Sequence, residues 1–405
     1  MAASEGPARV GKRGPLKVLY VEGNVDGTIG GSFFSMFFLA RGLDRSRLLP
    51  LVVFAAPNSM IQRFHDAGIE TRVINTTPAR AWAGRFGRLR SKIANFHIGF
   101  VTEPRRLAAV LREEQVDLVH LNNSITSNHV WMLAASRAGV PCITHERGIN
   151  DTYSARSKWL GSRLLAVVCI SNAVRENFVR KKLGGLRLVT IPNGLDPADM
   201  VTTLAPEAVR NEFGIAPGSR LVGLVGNIKH WKGQEVLIRA MSRLRSTRPE
   251  VACLLIGDAS ESSGPYLQSI RRLITDLKLS DRVFITGYRA NVADYVNACD
   301  VVVHASVLPE PFGRVILEGM ALRKPVIGAR AGGVPEIIDA PSTGLLYTPG
   351  DDAELATCID RSISDESVCR AMGEAGYRRL VENFSIQRNV QLTQELYSRI
   401  LRLGR

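Results

Sequence analysis

Short apolar runs rich in Val, Ile and Leu recur along the chain, and a helical pattern follows most of them. In the first half these runs are residues 16–23, 49–56, 70–75, 116–123, 140–148 and 166–171. Runs of this length and composition, bounded by Gly, Pro and polar residues, are typical of strands buried on both faces. Because they alternate with helices, the pattern predicts an α/β fold with a parallel, doubly wound sheet.

The same alternation starts again after residue 197. Five further strands are predicted at residues 220–227, 251–258, 281–287, 300–306 and 325–329. A chain of 405 residues is long enough for two such domains. We predict a flexible basic leader at 1–15, a first domain at 16–200, a second domain at 201–385 and an amphipathic C-terminal helix at 386–405. We expect the ligand sites of the two sheets to face each other across a cleft.

Composition limits the classes of partner and compartment. The chain is 45% hydrophobic and 22% charged, as in globular proteins, and its net charge of +14 favours anionic partners. Its six cysteines form no CxxC pair, which argues against a disulfide framework or a zinc site and favours a reducing cytosol. No apolar run is long enough to span a bilayer, so any membrane contact is expected to be peripheral.

Two glutamates are separated by seven residues in the segment PEPFGRVILEGM. Glu310 precedes Pro311, which disfavours helix at that position and places Glu310 in the loop after the strand at 300–306. Glu318 falls in the second turn of the next helix, among apolar residues. A buried carboxylate needs partners, and the hydroxyls of a ligand would serve. A capping acid followed by a solvated helix acid is the alternative interpretation.

A lysine and a glycine, Lys232 and Gly233, come directly before another predicted helix. They follow the carboxyl end of the strand at 220–227. Free amides at a helix start favour phosphate, and the lysine adds a positive charge there. The turn at Phe312 and Gly313 offers a second helix start in the same domain. Two helix starts and a lysine together fit a diphosphate.

In the first domain, Gly30, Gly31 and Ser32 open a helix in a similar way. Their spacing is not GxGxxG, which argues against dinucleotide binding. Three polar side chains lie at the carboxyl ends of strands in this domain: His120, Asn122 and His145. We expect these to be site residues. Since no cluster has the spacing of metal ligands, we expect neither a metal nor a cofactor.

The segment 79–100 combines basic and aromatic residues and contains no acid. These residues are Arg80, Arg85, Arg88, Arg90 and Lys92, with Trp82, Phe86, Phe96 and Phe100. This combination suits an anionic membrane surface. An ordinary solvated loop and helix is the alternative.

The second half of the chain resembles the retaining glycosyltransferases of family 4. The resemblance is carried by PEPFGRVILEGMALRKPVIGARAGGVPEII, TGLLYTPGD, KHWKGQEVLIRAM and IPNGLD, and more loosely in the first half by Gly30-Gly31, DLVHLNN and THE. It implies the GT-B fold, with two Rossmann-like domains facing a central cleft and a C-terminal helix that crosses back to the first domain. It also implies sugar transfer from a nucleotide-sugar donor, generally without a divalent metal.

The resemblance implies roles for residues of the second domain. Glu310 would contact hydroxyls of the donor sugar, Glu318 would hold the ribose, and Lys232 would bind the diphosphate. The other donor-binding residues implied are Gly313, Arg314 and Val315, through their backbone amides, and Tyr288 and Arg289, near the base. Asn227 stands where the family commonly has an arginine, and Lys229 or Arg314 are the candidates to supply that charge.

On the acceptor side, the resemblance implies a site lined by Gly30, Gly31, Ser32, His120, Asn122 and His145. With Glu310, we expect His120 and Asn122 to act at the catalytic centre. Asn122 stands where many members have the second histidine of an HxH pair.

These features predict a retaining, metal-independent glycosyltransferase that uses a UDP- or GDP-sugar and a glycan or lipid-linked acceptor. We expect it to serve cell-envelope or exopolysaccharide synthesis in the cytoplasm, at the inner face of the membrane. A GT-B epimerase or phosphorylase is an alternative that EPFGRVILEGM argues against. Nucleic-acid binding rests on the net charge alone, with no recognisable binding module, so we expect no nucleic-acid partner.

Overall fold

Parallel strands form the centre of two units. The structure, a computed structural model, describes residues 14–23, 31–77, 80–83, 85–259 and 263–403. One unit comprises Met1–Pro192 with Asn389–Arg405, and the other comprises Asn193–Arg388. These divisions lie close to the predicted domain boundaries at residues 200 and 385.

The first unit holds a sheet of seven parallel strands among its described residues. They are β1 Leu16–Glu22, β2 Leu48–Phe54, β3 Glu70–Val73, β4 Leu118–Leu121, β5 Cys142–Glu146, β6 Ala166–Cys169 and β7 Leu188–Thr190. Their order across the sheet is β3-β2-β1-β4-β5-β6-β7. In register, Tyr20 of β1 lies between Val52 of β2 and His120 of β4. β1 is therefore a central strand, which accounts for its apolar sequence.

Helices connect these strands. They are α1 Gly31–Gly42, α2 Met60–Asp66, α3 Arg85–His97, α4 Glu103–Glu113, α5 His129–Ala138, α6 Ala155–Gly161 and α7 Asn172–Arg180. A π-helical turn at Ile98–Thr102 joins α3 to α4. Most of these helices bury one apolar face: in α4, Leu107, Ala108 and Leu111 are buried, at the spacing that places them on one side of a helix.

The second unit holds six parallel strands in the part that the structure describes. They are β8 Arg220–Val225, β9 Val251–Ile256, β10 Val283–Gly287, β11 Val301–His304, β12 Val326–Ala329 and β13 Leu345–Tyr347. Their order is β10-β9-β8-β11-β12-β13. The predicted α/β class and parallel sheets are thus confirmed in both units. The short strands β7 and β13 were not among the predicted ones.

The helices of the second unit cover both faces of its sheet. They are α8 Pro206–Glu212, α9 Gln234–Leu244, α10 Gly264–Asp276, α11 Val292–Ala298, α12 Arg314–Ala321, α13 Val334–Ile337, α14 Asp352–Ser364 and α15 Glu366–Asn383. On one face, Leu237 of α9 and Leu355 of α14 belong to a core with Val303 of β11. On the other, Val209 of α8 and Tyr295 of α11 belong to a second core.

The last helix, α16 Ile386–Leu403, belongs to the first unit from Asn389 onward. Its buried residues Val390, Tyr397 and Ile400 recur at helical spacing and form one packed face. The side-chain amide of Asn389 donates to the carbonyl of Pro192 at 2.6 Å. The predicted return of the C-terminal helix to the first domain is confirmed.

Each sheet reverses its strand order once, between β1 and β4 in the first unit and between β8 and β11 in the second. The connections on either side of such a reversal run to opposite faces of the sheet. This leaves a crevice beyond the carboxyl ends of the strands, where open α/β sheets bind ligands. Ligand-binding residues are therefore expected in the loops that follow these four strands.

Candidate functional site

The loops after β8 and β11 bring Lys232 and Glu310 together, although 77 residues separate them in the sequence. The Lys232 ammonium donates to both carboxylate oxygens of Glu310 at 3.0 Å. The backbone amide of Val307 also donates to the carbonyl of Trp231 at 2.9 Å, which ties the two loops to each other. A lysine and a glutamate that the sequence analysis assigned separately thus form one ion pair at the strand-order reversal.

Two more side chains donate to Glu310. His304 Nε2 lies 2.7 Å and Ser306 Oγ 2.8 Å from Oε2 of Glu310. Burial by itself would raise the pKa of Glu310, but the hydrogen bond from His304 and the positive charge of Lys232 outweigh it, and the pKa is well below the ordinary value. Glu310 is therefore a carboxylate at neutral pH. Neither His304 nor Ser306 was singled out by the sequence analysis.

Two glycines make this close approach possible. A side chain at Gly233, which has a φ of +71°, would place its Cβ 1.9 Å from the carbonyl oxygen of Ala305. A side chain at Gly332, with a φ of +62°, would place its Cβ 2.0 Å from the carbonyl oxygen of Glu310. The backbone amide of Gly333 donates to that same oxygen at 2.9 Å. The KG and GG pairs of the sequence are thus explained by contacts that hold the Glu310 loop in position.

Helix α12 begins at the end of this loop. Gly313 precedes it with a φ of +102°, and Arg314 and Val315 are its first two residues. The first amides of a helix have no carbonyl partner within it and point outward from the helix start. Glu318 lies in the second turn, as predicted, and accepts from Arg314 Nε at 3.0 Å. Its side chain is 16% exposed, which leaves part of the carboxylate accessible.

The remaining predicted donor residues lie at the same edge of the sheet. Asn227 is exposed just after β8, and its carbonyl accepts from Gln234 Nε2 at 3.1 Å. Tyr288 follows β10 and is 76% exposed. Arg289 forms an ion pair with Glu212 and lies over the ring of Tyr295, 4.8 Å from its centroid. Arg289 thus has partners within the unit, whereas Tyr288 is open to solvent.

In the first unit, His120 and His145 belong to a buried chain of hydrogen bonds. His120 Nε2 lies 2.7 Å from His145 Nδ1, and His120 Nδ1 bonds the hydroxyl of Tyr397. The Tyr397 hydroxyl lies 2.7 Å from that of Tyr20. Burial, with a smaller effect from the charge of Arg147, lowers the pKa of His120 to about 3, and burial also lowers the pKa of His145. Both imidazoles are therefore neutral at physiological pH.

This buried chain of hydrogen bonds changes the interpretation of His120. The position of His120 at a strand end predicts a site residue and not a core histidine, but its ring is completely buried in the structure. Both of its nitrogens bond protein groups, so neither is left for a substrate, and the predicted catalytic role has no support from this geometry. The pattern of polar residues at strand ends could not reveal Tyr397, which is 277 positions away. His120 instead links the sheet to α16.

We expect Tyr397→Phe to lower the free energy of unfolding by about 1–3 kcal/mol, because Tyr20 and His120 would each lose a buried hydrogen-bond partner. Urea unfolding curves followed by circular dichroism would measure the change. Tyr288→Phe removes an exposed hydroxyl and serves as the matched control, with no expected change. Equal unfolding midpoints for the two variants would contradict the stabilising role of this chain of hydrogen bonds.

Asn122 lies at the carboxyl end of β4 in a polar cluster that includes two residues the sequence analysis missed. Its side-chain amide donates to Glu22 Oε2 at 2.6 Å and to the carbonyl of Ser32 at 3.1 Å. Its Oδ1 accepts from Arg147 Nη2 at 3.0 Å, and Asn123 donates to the other oxygen of Glu22 at 2.7 Å. The sequence could have indicated them, since Glu22 ends β1 and Arg147 directly follows β5, at the edge of the sheet where ligands bind.

Of the predicted acceptor-side residues, Gly31 and Ser32 lie next to this cluster. Gly31 is the first residue of α1, and Ser32 contributes the carbonyl bonded by Asn122. Gly30 lies outside the described residues. The cluster therefore places Asn122 and Ser32 together at the strand-order reversal of the first unit.

Within the described ranges of the chain, no group of three or more His, Cys, Asp or Glu side chains is arranged to hold a metal ion. In the second unit, the side chains of Lys232 and Glu310 form an ion pair and not a metal site. These two residues and the start of α12 give this region cationic and anionic groups together with outward-pointing backbone amides.

Two family models match the chain, one in each half. A model described as Glycosyl transferases group 1 matches residues 206–379, and a model described as Glycosyltransferase Family 4 matches residues 58–199. The N-acetyl-alpha-D-glucosaminyl L-malate synthase of Bacillus anthracis is 31% identical over 306 residues, which cover 73% of this chain and 78% of the relative. The lipopolysaccharide core biosynthesis mannosyltransferase LpcC of Rhizobium leguminosarum bv. viciae is 28% identical over 253 residues, with coverages of 62% and 68%.

Solved structures give the same result for the fold. The crystal structure of Anabaena Alr3699/HepE in complex with UDP matches with a TM-score of 0.79 and 27% identity, covering 95% of this chain and 100% of that one. The complex of the same protein with UDP-glucose matches with a TM-score of 0.76 over the same shares. The match extends over both units, beyond the segments that carry the sequence motifs.

Proposed function

Because the chain belongs to the glycosyltransferases of group 1 and family 4, we propose that it transfers a sugar from a nucleotide-sugar donor, with retention of configuration and without a metal ion. The observation that carries the donor assignment is the Lys232–Glu310 ion pair at the strand-order reversal of the second unit. The Anabaena protein of 27% identity binds UDP and UDP-glucose, which makes a UDP-sugar the first donor to test, with GDP-sugars second.

The donor site combines a cation, backbone amides, two carboxylates and an exposed aromatic side chain. Lys232 supplies a positive charge for the diphosphate, and the amides of Gly313, Arg314 and Val315 supply backbone donors at a helix start. Glu310, which is 14% exposed, offers carboxylate oxygen to hydroxyls of the sugar. Glu318, on the first turns of α12, offers carboxylate oxygen to the ribose. Tyr288 is exposed at the end of β10 and is available to the base.

Asn227 supplies no cation where the family commonly has an arginine. Arg314 already bonds Glu318 on α12. Lys229 is half-buried in the loop between β8 and Lys232, and it is therefore our preferred source of the second charge.

We assign the acceptor to the first unit, where Asn122, Glu22 and Arg147 form the polar cluster at the strand-order reversal. The acceptor class we propose is a glycan or lipid-linked glycan. The mannosyltransferase LpcC, named for lipopolysaccharide core biosynthesis, supports this choice. The reported relatives give no support to an epimerase, a phosphorylase or a nucleic-acid-binding protein.

Thermal shift measurements with UDP-, GDP- and ADP-sugars test the donor assignment. A ligand at a hundred times its dissociation constant adds about 2.7 kcal/mol of stability, which is readily measured. The donor that stabilises the protein is then incubated with candidate acceptors, and the anomeric configuration of the product is read by NMR. Absence of stabilisation by every nucleotide sugar would overturn the donor assignment, and an inverted product would overturn retention.

We expect transfer in excess EDTA to proceed at the untreated rate. The positive charge of Lys232 and the helix amides would neutralise the nucleoside diphosphate as it leaves, which is the task that a divalent ion performs in other enzymes. Initial rates with and without EDTA, and after readdition of Mg²⁺ or Mn²⁺, measure this. A rate that EDTA abolishes and a metal restores would mean that these groups are insufficient.

Helix α3 carries an apolar stripe that faces solvent. Four of its apolar side chains are between 57% and 83% exposed: Phe86, Leu89, Ile93 and Phe96. Their spacing of three and four residues puts them on one face. On the opposite face, Asn95 exchanges two hydrogen bonds with the backbone of Arg80, which fixes the helix to the preceding segment.

Basic residues border this stripe. Arg90 lies on one side of it and Lys92 on the other, and residues 79–100 contain no acid. A helix with this pattern lies in the surface of an anionic bilayer, with its apolar side chains among the acyl chains. No helix in the described residues is long and apolar enough to cross a membrane. We propose that α3 holds the protein on the inner face of the cytoplasmic membrane, and the six free thiols fit that reducing compartment.

Reversal of charge at Arg88, Arg90 and Lys92 is expected to weaken binding to anionic vesicles at least a hundredfold, since losing the attraction of each basic residue alone costs about 1 kcal/mol at such a surface. Co-sedimentation with vesicles containing phosphatidylglycerol measures it. Reversal of Arg271 and Arg272, exposed on α10, together with Lys278, exposed just after it, is the control with the same change of net charge. If both sets of reversals reduce sedimentation equally, α3 is not the membrane-binding surface.

A further inference from the structure

The two oxygens of the Glu310 carboxylate have different surroundings. Oε2 accepts from His304, Ser306 and Lys232, at 2.7, 2.8 and 3.0 Å. Among the described residues, Oε1 accepts from Lys232 alone, at 3.0 Å. If Lys232 turned to a diphosphate, Oε1 would become available to a ligand while Oε2 remained held.

His304 differs from the core histidine His120 in how its ring is used. Its side chain is 3% exposed, so it is shielded from solvent and from direct contact with a ligand. Its Nε2 bonds Glu310, and its Nδ1 is buried with no partner in the part of the chain that the structure describes. Since an ionised carboxylate only accepts hydrogen bonds, Nε2 carries the proton in this contact. The one described polar contact of the ring is therefore directed at Glu310.

We propose that His304 is a positioning residue for sugar transfer: with Ser306 it anchors Oε2 of Glu310, so that Oε1 faces the donor sugar once Lys232 engages the diphosphate. This inference rests on the proposed function of the site. It assigns His304 a role through Glu310 and no contact with the substrate.

The charges around Glu310 make this anchor necessary. Lys232, from the loop after β8, and His304, at the end of β11, are the titratable groups bonded to Glu310 among the described residues. A diphosphate competes with Glu310 for Lys232 because both are anions that bind the same ammonium group. When Lys232 moves, the half-buried carboxylate keeps its charge and orientation only through the donors on Oε2.

Kinetics of His304→Leu, His304→Gln and Ser306→Ala test the proposal. We expect His304→Leu to lower kcat about tenfold to a hundredfold and to leave the affinity for free nucleoside diphosphate unchanged, because the lost bond is to a charged group that meets the sugar. Glutamine restores an N–H donor, so His304→Gln is expected to recover much of the rate. His65→Leu, at an exposed position on α2, is the control for general loss of a histidine.

The pH dependence separates positioning from a loss of packing. In the wild type the pKa of Glu310 is held down, and activity is expected to stay constant as the pH falls from 7 to 5. Without the His304 donor the pKa of Glu310 rises, so the activity of His304→Leu is expected to fall over that range. Carbon-13 NMR of labelled glutamate follows the same carboxyl group in the free protein, with Glu310→Gln identifying its signal.

These measurements distinguish the two proposals. If the wild type binds no nucleotide sugar, the proposed function fails, and the NMR titration alone decides whether His304 controls Glu310. A carboxyl titration that is the same in wild type and His304→Leu overturns the inference. The inference is also overturned if folded His304→Gln is as slow as His304→Leu. It is overturned as well if His304→Leu loses as much affinity for nucleoside diphosphate as it loses in kcat.

Discussion

Turnover of Lys232→Ala is expected to fall about a hundredfold, which corresponds to roughly 3 kcal/mol of transition-state stabilisation. The leaving nucleoside diphosphate gains negative charge as the bond to the sugar breaks. A fixed cation beside it therefore stabilises the transition state more than the bound donor. Steady-state kinetics with saturating donor and acceptor measure the loss.

Lys17→Ala is the matched control for this variant. Lys17 forms a half-buried ion pair with Glu114 in the first unit, at 3.1 Å, so its removal breaks a similar pair far from the predicted donor residues in the sequence. We expect its turnover to equal that of the wild type. Full turnover in Lys232→Ala would show that departure of the diphosphate does not depend on this lysine. A loss of turnover shared by both variants would indicate lower protein stability as its cause.

The fold was largely predictable because it depends on local patterns. A strand buried on both faces needs a continuous apolar run, and β6, β9 and β12 consist of such runs. The strands that were missed, β7 and β13, have three residues each, too few for a periodic pattern to stand out. The return of α16 to the first unit came from the family resemblance, since an amphipathic helix alone does not specify what it packs against.

The candidate site was predictable only where a residue's function follows from its own position. Lys232 and Glu310 were found because each follows a strand and precedes a helix. Their pairing could not be predicted, because each of these two side chains, seen in its own loop, could equally well face solvent. His304 and His120 show the limit most clearly: both lie in short, otherwise apolar strands, yet one holds Glu310 and the other bonds Tyr397. Only the three-dimensional partners distinguish these roles.

The glycine pairs show how sequence and site are connected. From sequence alone, Gly332 and Gly333 could be a tight turn anywhere on the surface. In the structure, a Cβ at Gly332 would overlap the carbonyl oxygen of Glu310. The requirement for glycine therefore comes from a loop 22 positions earlier in the chain, and it preserves the placement of the carboxylate.

The two glutamates of PEPFGRVILEGM are expected to separate into sugar and nucleoside functions. Glu318→Gln should raise the dissociation constant of free nucleoside diphosphate and of the nucleotide sugar alike, by about tenfold to a hundredfold, because hydrogen bonds to a charged group contribute about 1.5–3 kcal/mol each. Glu310→Gln should leave the affinity for free nucleoside diphosphate unchanged or tighter. The second result follows from the ion pair, since Lys232 no longer has to leave a carboxylate before it binds phosphate.

Glu310→Gln is nevertheless expected to lower turnover about a hundredfold, since the amide has a single oxygen, which cannot be held by His304 and Ser306 and also accept from the sugar as the second carboxylate oxygen does. Calorimetry with both ligands on both variants, together with steady-state rates, measures the separation. Glu354→Gln, at an N-terminal position of α14, is the control for loss of one carboxylate from the second unit. If Glu310→Gln weakens the free nucleotide as much as Glu318→Gln does, Glu310 does not act through the sugar, and the two acids form a structural pair that supports the loop and α12.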